Sequence, residues 1–167
     1  MVLDFLADSL GATFKTHKAR AMVAEARVRP GGGKVILAKP ASFMNLSGQP
    51  VAALASFYGI PPERIVAVHD ELDIPFDDVR IKFSGGHGGH NGLRDIMAAI
   101  DSRDFVRLRV GIGRPPGRQD AAEFVLRNFS SAERKVLPHV LQSASDAIVS
   151  IADEGYLAAQ QRVNAPA

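Results

Sequence analysis

Ile65-Val66-Ala67-Val68-His69-Asp70-Glu71-Leu72-Asp73 decides how the rest of the chain is read. Four apolar residues, three of them β-branched, run straight into carboxylates. A short, continuous apolar run of this kind marks a strand buried on both faces. Open α/β sheets place their chemistry at the carboxyl ends of such strands, where the polar residues His69 to Asp73 stand here. The spacing therefore predicts a strand over 65–68 with a polar exit.

Working outward, Val79, Ile81 and Phe83 alternate with Arg80, Lys82 and Ser84, the period of a half-buried strand. Phe105, Leu108, Val110 and Ile112 form another, closed by Arg114-Pro115-Pro116-Gly117. Upstream, residues 21–28 and 34–38 are strand-like and joined by Pro30-Gly31-Gly32-Gly33, a hairpin signal. Helices are expected over 2–10 with Gly11 as the stop, and from Ser47 to Tyr58 with Ser47 as cap, Pro50 in the first turn and Gly59 as the stop. Further helices are expected over 93–100 and 121–127. Ser130-Ser131-Ala132-Glu133 is a capping box. It opens a long helix with the stripe Leu137, Val140, Leu141, Ala144, Ile148, Ile151, in which Pro138 should introduce a bend. Gly155 ends that helix, and a last one covers Tyr156 to Val163. Strands interleave with helices, so the expected class is α/β: a single domain over 1–167 with a mixed, mostly parallel sheet flanked by helices.

A length of 167 residues suits one domain, and 46% hydrophobic with 23% charged residues excludes a disordered or fibrous chain. The absence of cysteine removes disulfides, thiolate metal sites and cysteine nucleophiles. The apolar runs are far shorter than a bilayer requires. Met1-Val2-Leu3-Asp4 carries an acid at once and has no basic start, unlike a signal peptide. The cytoplasm is the expected location.

The net charge of +2 conceals blocks. Residues 15–39 hold seven Lys/Arg and one acid, residues 63–78 six acids and one Arg, and residues 80–118 eight Lys/Arg and three Asp. Basic blocks brought to one face make a footprint for a polyanion. Within the last block lies Gly85-Gly86-His87-Gly88-Gly89-His90-Asn91-Gly92, with five glycines in eight residues. A simple turn needs one or two, so this loop brings backbone close to a ligand or holds several positive φ angles. His87 and His90 with His69 and Asp70 could form a metal site, but His-x-x-His in a loop is a short motif with many chance matches. Asp70 at a strand end could orient an imidazole. Asn45, in Ser42-Phe43-Met44-Asn45-Leu46-Ser47-Gly48, could donate to an oxyanion, though alone it reads as a turn residue.

Taken together, Ser42 to Gly48, His69 to Asp73, and Gly85 to Asp95 resemble, in order and spacing, the three signature segments of bacterial peptidyl-tRNA hydrolases. Phe105 to Pro116 continues the likeness, which covers essentially the whole chain. That family cleaves the ester joining a peptide to the terminal ribose of tRNA. The resemblance implies no metal and no organic cofactor, a monomer, and peptidyl-tRNA as partner. It also implies that Asp70 orients the catalytic histidine, that Asn45 and Asn91 belong to the substrate site with Asn91 catalytic, that Phe43 lines that site, and that His90 stands beside the reacting end. Lys82 and Arg109 match positions that hold a tRNA phosphate.

Two departures stand out. The family begins with a strand and a Gly-Leu-Gly-Asn-Pro-Gly turn, then a Thr-Arg-His-Asn segment whose histidine is the general base. Neither motif occurs in this chain, and His17 lies in a different segment. The expectation is therefore a chain missing its first strand and its general base, impaired as it stands. Ser84 takes a place where the family usually has glycine, with little effect expected. Two other readings remain at this point: a tRNA-binding module without catalysis, and a metal-dependent hydrolase using His69, His87 and His90.

Overall fold

A computed structural model describes residues 1–41, 46–113 and 129–165. The elements run α1 (Val2–Leu10), β1 (Lys15–His17), β2 (Ala21–Arg27), β3 (Lys34–Pro40), α2 (Gly48–Tyr58), β4 (Val66–Glu71), β5 (Val79–Phe83), α3 (Asn91–Ala99), β6 (Val106–Gly111), α4 (Ser131–Glu154) and α5 (Tyr156–Val163). A single 3-10 turn, Pro62–Arg64, leads into β4. The expected helix over 121–127 and the Arg114–Gly117 closure lie outside the described residues.

The α/β class expected from the interleaved pattern is what the structure has, and its sheets are mixed. Among the described residues there are two three-stranded sheets, ordered β1-β2-β3 and β4-β6-β5. The first is antiparallel throughout, with Val23 opposite both Lys15 and Ala38. Its tight connections leave no alternative, because parallel neighbours need a crossover of a dozen or more residues. In the second, Val106 N–H donates to Ile65 C=O at 3.0 Å and Ile112 N–H to Glu71 C=O at 3.0 Å, so β6 runs parallel to β4. Ser84 N–H donates to Phe105 C=O at 3.0 Å and Gly111 N–H to Asp78 C=O at 2.9 Å, so β5 runs antiparallel to β6. One pairing is thus parallel and three are antiparallel, a smaller parallel share than the sequence suggested. The β4-to-β6 connection carries a helix, α3, long enough for the crossover that this parallel pair requires.

The chain divides into two compact units. One comprises Leu3–Ala67 and Phe83–Val106. Its core has two parts. Ala21, Val23 and Leu54, with Ile36, Ala38 and Tyr58 around them, join the first sheet to α2. Leu93, Ile96 and Phe105 pack with Val51, Ile65, Ala67 and Met97, joining α3 to α2 and to the feet of β4 and β6. Gly59 ends α2 with φ 66°, and its N–H returns to Ala55 and Ser56, the left-handed stop that glycine allows. Ser47 was expected to cap α2, yet it has helical φ/ψ and makes no side-chain cap bond. The Asp95 carboxylate on α3 instead accepts from Gly48 N–H at 2.7 Å, and a helix N-terminus favours that negative charge.

The other unit comprises Met1–Val2, Val68–Lys82 and the described residues of 107–167. Ile74, Val79, Ile81 and Leu108 are buried there, with Val140, Ala144, Ala147 and Ile148 of α4 and Ala159 of α5. The capping box at the head of α4 forms as read. Ser130 Oγ accepts from Glu133 N–H at 3.1 Å, and Glu133 Oε1 accepts from Ser130 N–H at 2.9 Å. Pro138 lies inside α4.

Candidate active site

The polar exit of the deciding stretch is part of the strand itself: β4 continues through His69 and Asp70 to Glu71. Strand alternation places Asp70 on one face and His69 and Glu71 on the other. Asp70 is half-buried. His69 turns Nδ1 toward the Asp70 carbonyl oxygen, 2.8 Å away.

The β5–β6 register fixes the basic residues. Ser84 pairs with Phe105 and Asp78 with Gly111 without a slip, so Lys82 stands opposite Arg107 and Arg80 opposite Arg109. All four side chains therefore leave the same face of the sheet. Lys82 and Arg80 are exposed. Arg109 is half-buried and pairs with Glu71 of β4: Nε to Oε1 at 3.1 Å and Nη2 to Oε1 at 3.0 Å. Arg80 leans on Asp78 at 3.1 Å. Arg107 is 2% exposed, although its place among apolar residues gave it no distinct signal in the sequence. The structure thus brings Lys82 and Arg109 onto one sheet face with Arg80, buries Arg107 on that face, and sets the Glu71 carboxylate against Arg109. Alternation along β5 already places Arg80 with Lys82; pairing register alone sets Arg107, Arg109 and Glu71 on that same face.

The glycine-rich loop has the character read from its composition. Gly85, Gly88 and Gly89 have φ of 98°, 57° and 83°. These left-handed values carry a steric penalty for side-chain-bearing residues. His87 Nδ1 accepts from Gly89 N–H at 3.0 Å, and His87 C=O accepts from His90 N–H at 2.9 Å. His90 is the N-cap of α3, its Nδ1 accepting from Leu93 N–H at 3.2 Å. Accepting at Nδ1 leaves the ring proton on Nε2. Asn91 opens α3, exposed, with its Oδ1 accepting from Arg94 Nη2 at 2.8 Å. That bond orients the amide and leaves Nδ2 as its donor. The expected site residues Phe43 and Asn45 lie outside the described residues.

Among the described residues no helix is long and apolar enough to cross a membrane. The chain matches the family profile described as peptidyl-tRNA hydrolase over residues 1–167. It is 59% identical to the peptidyl-tRNA hydrolase of Pseudarthrobacter chlorophenolicus over 162 residues, which is 97% of this chain and 83% of that protein. It is 57% identical to that of Leifsonia xyli subsp. xyli, covering 97% of this chain and 84% of the relative. The crystal structure of peptidyl-tRNA hydrolase from Acinetobacter baumannii superposes with a TM-score of 0.87 at 37% identity, covering 98% of this chain and 83% of that one. With its α/β architecture, its glycine-rich loop and a family match that runs its whole length, the chain belongs to the peptidyl-tRNA hydrolase family, a family of hydrolases.

Proposed function

We propose that this protein hydrolyses the ester between peptide and tRNA in peptidyl-tRNA, as a cytoplasmic monomer needing no metal or organic cofactor. The observation that carries the reading is the cationic sheet face: exposed Lys82 and Arg80 on β5 and half-buried Arg109 opposite Arg80 on β6, within reach of one polyanionic backbone. Such a face supplies the sequence-independent part of RNA affinity. The chemistry is attack of water on the ester carbonyl. Asp70 holds an imidazole that takes the water's proton, and the Asn91 amide, fixed by Arg94, donates to the developing oxyanion. His90 lines the reacting end, and Phe43 and Asn45 complete the substrate site.

The finer reading concerns the base. No histidine of these 167 residues stands in a Thr-Arg-His-Asn context, so we assign the general base to a residue outside them. Loss of a general base typically costs about 10²–10⁴ in rate. The test compares peptidyl-tRNA turnover by residues 1–167 with turnover by the same chain preceded by the N-terminal segment of the Pseudarthrobacter relative. The extended chain should be faster by at least that factor, and changing its added histidine to alanine should abolish the gain. Equal rates would show that the base lies within the chain, with His90 the first residue to replace. Binding of tRNA with no hydrolysis by either version would leave a non-catalytic tRNA-binding module. Activity lost to a chelator and restored by zinc would favour the metal reading.

A further inference from the structure

Among the described residues, strand β5 lies at the edge of its sheet in the order β4-β6-β5. In its antiparallel pairing with β6, residues 80, 82 and 84 turn their backbone groups inward to β6. The N–H and C=O of Ile81 therefore point outward, the exposed row that edge strands must protect. Asn164 occupies that row. Its Oδ1 accepts from Ile81 N–H at 2.9 Å and its Nδ2 donates to Ile81 C=O at 2.9 Å. One side-chain amide thus makes both bonds that a further strand would make at this residue.

Asn164 is itself held. It caps the C-terminus of α5, its N–H bonded to Gln160 C=O at 2.9 Å. Arg162, two residues earlier, ties α5 to α4 through Ser150 Oγ at 3.1 Å and through Glu154. The residue that Asn164 grips is flanked by Arg80 and Lys82. Ile81 is buried at 1% exposure, and its two neighbours leave the opposite face. A twist of the backbone at Ile81 would therefore swing both cations relative to Arg109.

We infer that Asn164 is a positioning residue for RNA phosphate: by clamping Ile81 it holds Lys82 and Arg80 at the spacing from Arg109 that one phosphodiester backbone requires. This rests on the reading of Lys82 as a phosphate contact. It makes the C-terminal helix part of substrate binding without touching substrate.

The experiment is a double-mutant cycle on the 167-residue chain, with deacylated tRNA as the probe, across a series of salt concentrations. Folded fraction is followed by circular dichroism and thermal melting. Lys82→Ala, Asn164→Ala and the double variant are compared with the parent. Asn164→Ala should weaken tRNA binding about threefold to tenfold and lower the salt slope while the chain stays folded, and the double variant should lose less than the product of the two single losses, as coupled neighbours do, the remainder beyond Lys82→Ala coming from Arg80. If Asn164→Ala does not fold, Asn164→Gln, which keeps both amide groups one methylene further out, takes its place in the same cycle. Losses that multiply in the double variant, or an Asn164 variant that is folded and binds like the parent while Lys82→Ala is weak, would overturn the positioning role alone. A Lys82→Ala variant with unchanged affinity would overturn the phosphate reading, and the inference with it.

Discussion

Arg109 donates from both Nε and Nη2 to a single carboxylate oxygen of Glu71, at 3.1 and 3.0 Å, across the parallel β4–β6 pair. The two side chains are 26% and 21% exposed, so the pair is less screened than a surface ion pair. It aims the guanidinium and also offsets its charge. Removing the carboxylate charge while keeping an acceptor, Glu71→Gln, should tighten deacylated tRNA binding about threefold to tenfold at low salt, the effect of one partly screened charge. A titration showing equal or weaker binding would place the phosphates away from Arg109.

Lys82→Ala and Arg109→Ala should each weaken tRNA binding and reduce the magnitude of the slope of log K against log salt by about 0.7–0.9, one phosphate contact's worth. In a catalytically competent version, small ester substrates without the tRNA body should be affected far less. Parallel losses on both substrates would assign these residues to stability instead.

Two glycines are required by close approach. A Cβ on Gly111 would lie 2.1 Å from Pro75 O and 2.6 Å from Ile74 Cγ2, and one on Gly48 would lie 2.2 Å from Asp95 O. The obstructing oxygens are backbone and cannot rotate away. Gly111→Ala and Gly48→Ala should each destabilise by about 1–3 kcal/mol or more, the usual cost of overpacking. Chemical denaturation would check this, and an unchanged midpoint for either would show that its neighbours move aside.

Ser84 holds φ 63°, a left-handed value, and its hydroxyl donates to Asp104 Oδ1 at 2.8 Å. Ser84→Gly relieves the backbone strain and loses that exposed hydrogen bond. Ser84→Ala keeps the strain and loses the bond as well. Thermal melts should therefore rank Ser and Gly close together, with Ala lower by about 1 kcal/mol. Alanine at least as stable as glycine would show that the strain is negligible. The family's usual glycine at this position has the same explanation.

Asp4 and Lys39 form an ion pair. The hydrogen bond from Lys39, ahead of every other influence, holds the Asp4 carboxyl below its ordinary range. A depressed carboxylate pKa contributes stability above the unfolded value that disappears as pH falls through the folded one. The stability of the parent over Asp4→Asn should thus be positive at pH 7 and disappear in acid, as pH falls through the lowered folded value. Because the pair is exposed, the difference should stay below about 1 kcal/mol and shrink in salt. A difference that persists in acid would trace it to helix α1 rather than to the ion pair.

Several features were legible because their causes are local. Gly59 stops α2 at φ 66° because an L-side chain there would strain the turn. Ser130 and Glu133 cap α4 because both bonds close within three residues. Val79, Ile81 and Phe83 reveal β5 by alternation alone. The short strand β1 escaped, since Lys-Thr-His has no apolar pattern and forms only because Ala21–Val23 pairs with it. Ser47 was misread as a cap for a related reason: the group that takes the Gly48 N–H is Asp95, 47 residues away.

What the sequence determined by itself was the α/β class, most of the element list and the family, each written in patterns that close within a few residues or in ordered motifs. The tertiary structure alone decided that Arg109 faces Glu71, that Lys82 stands opposite Arg107, that an arginine is buried in β6, and that Asn164 grips Ile81 from 83 positions away. Steric and capping rules act within a turn of chain. Strand register and long-range hydrogen bonds are set by which whole packing buries the most surface with its polar groups satisfied, and no local window contains that comparison.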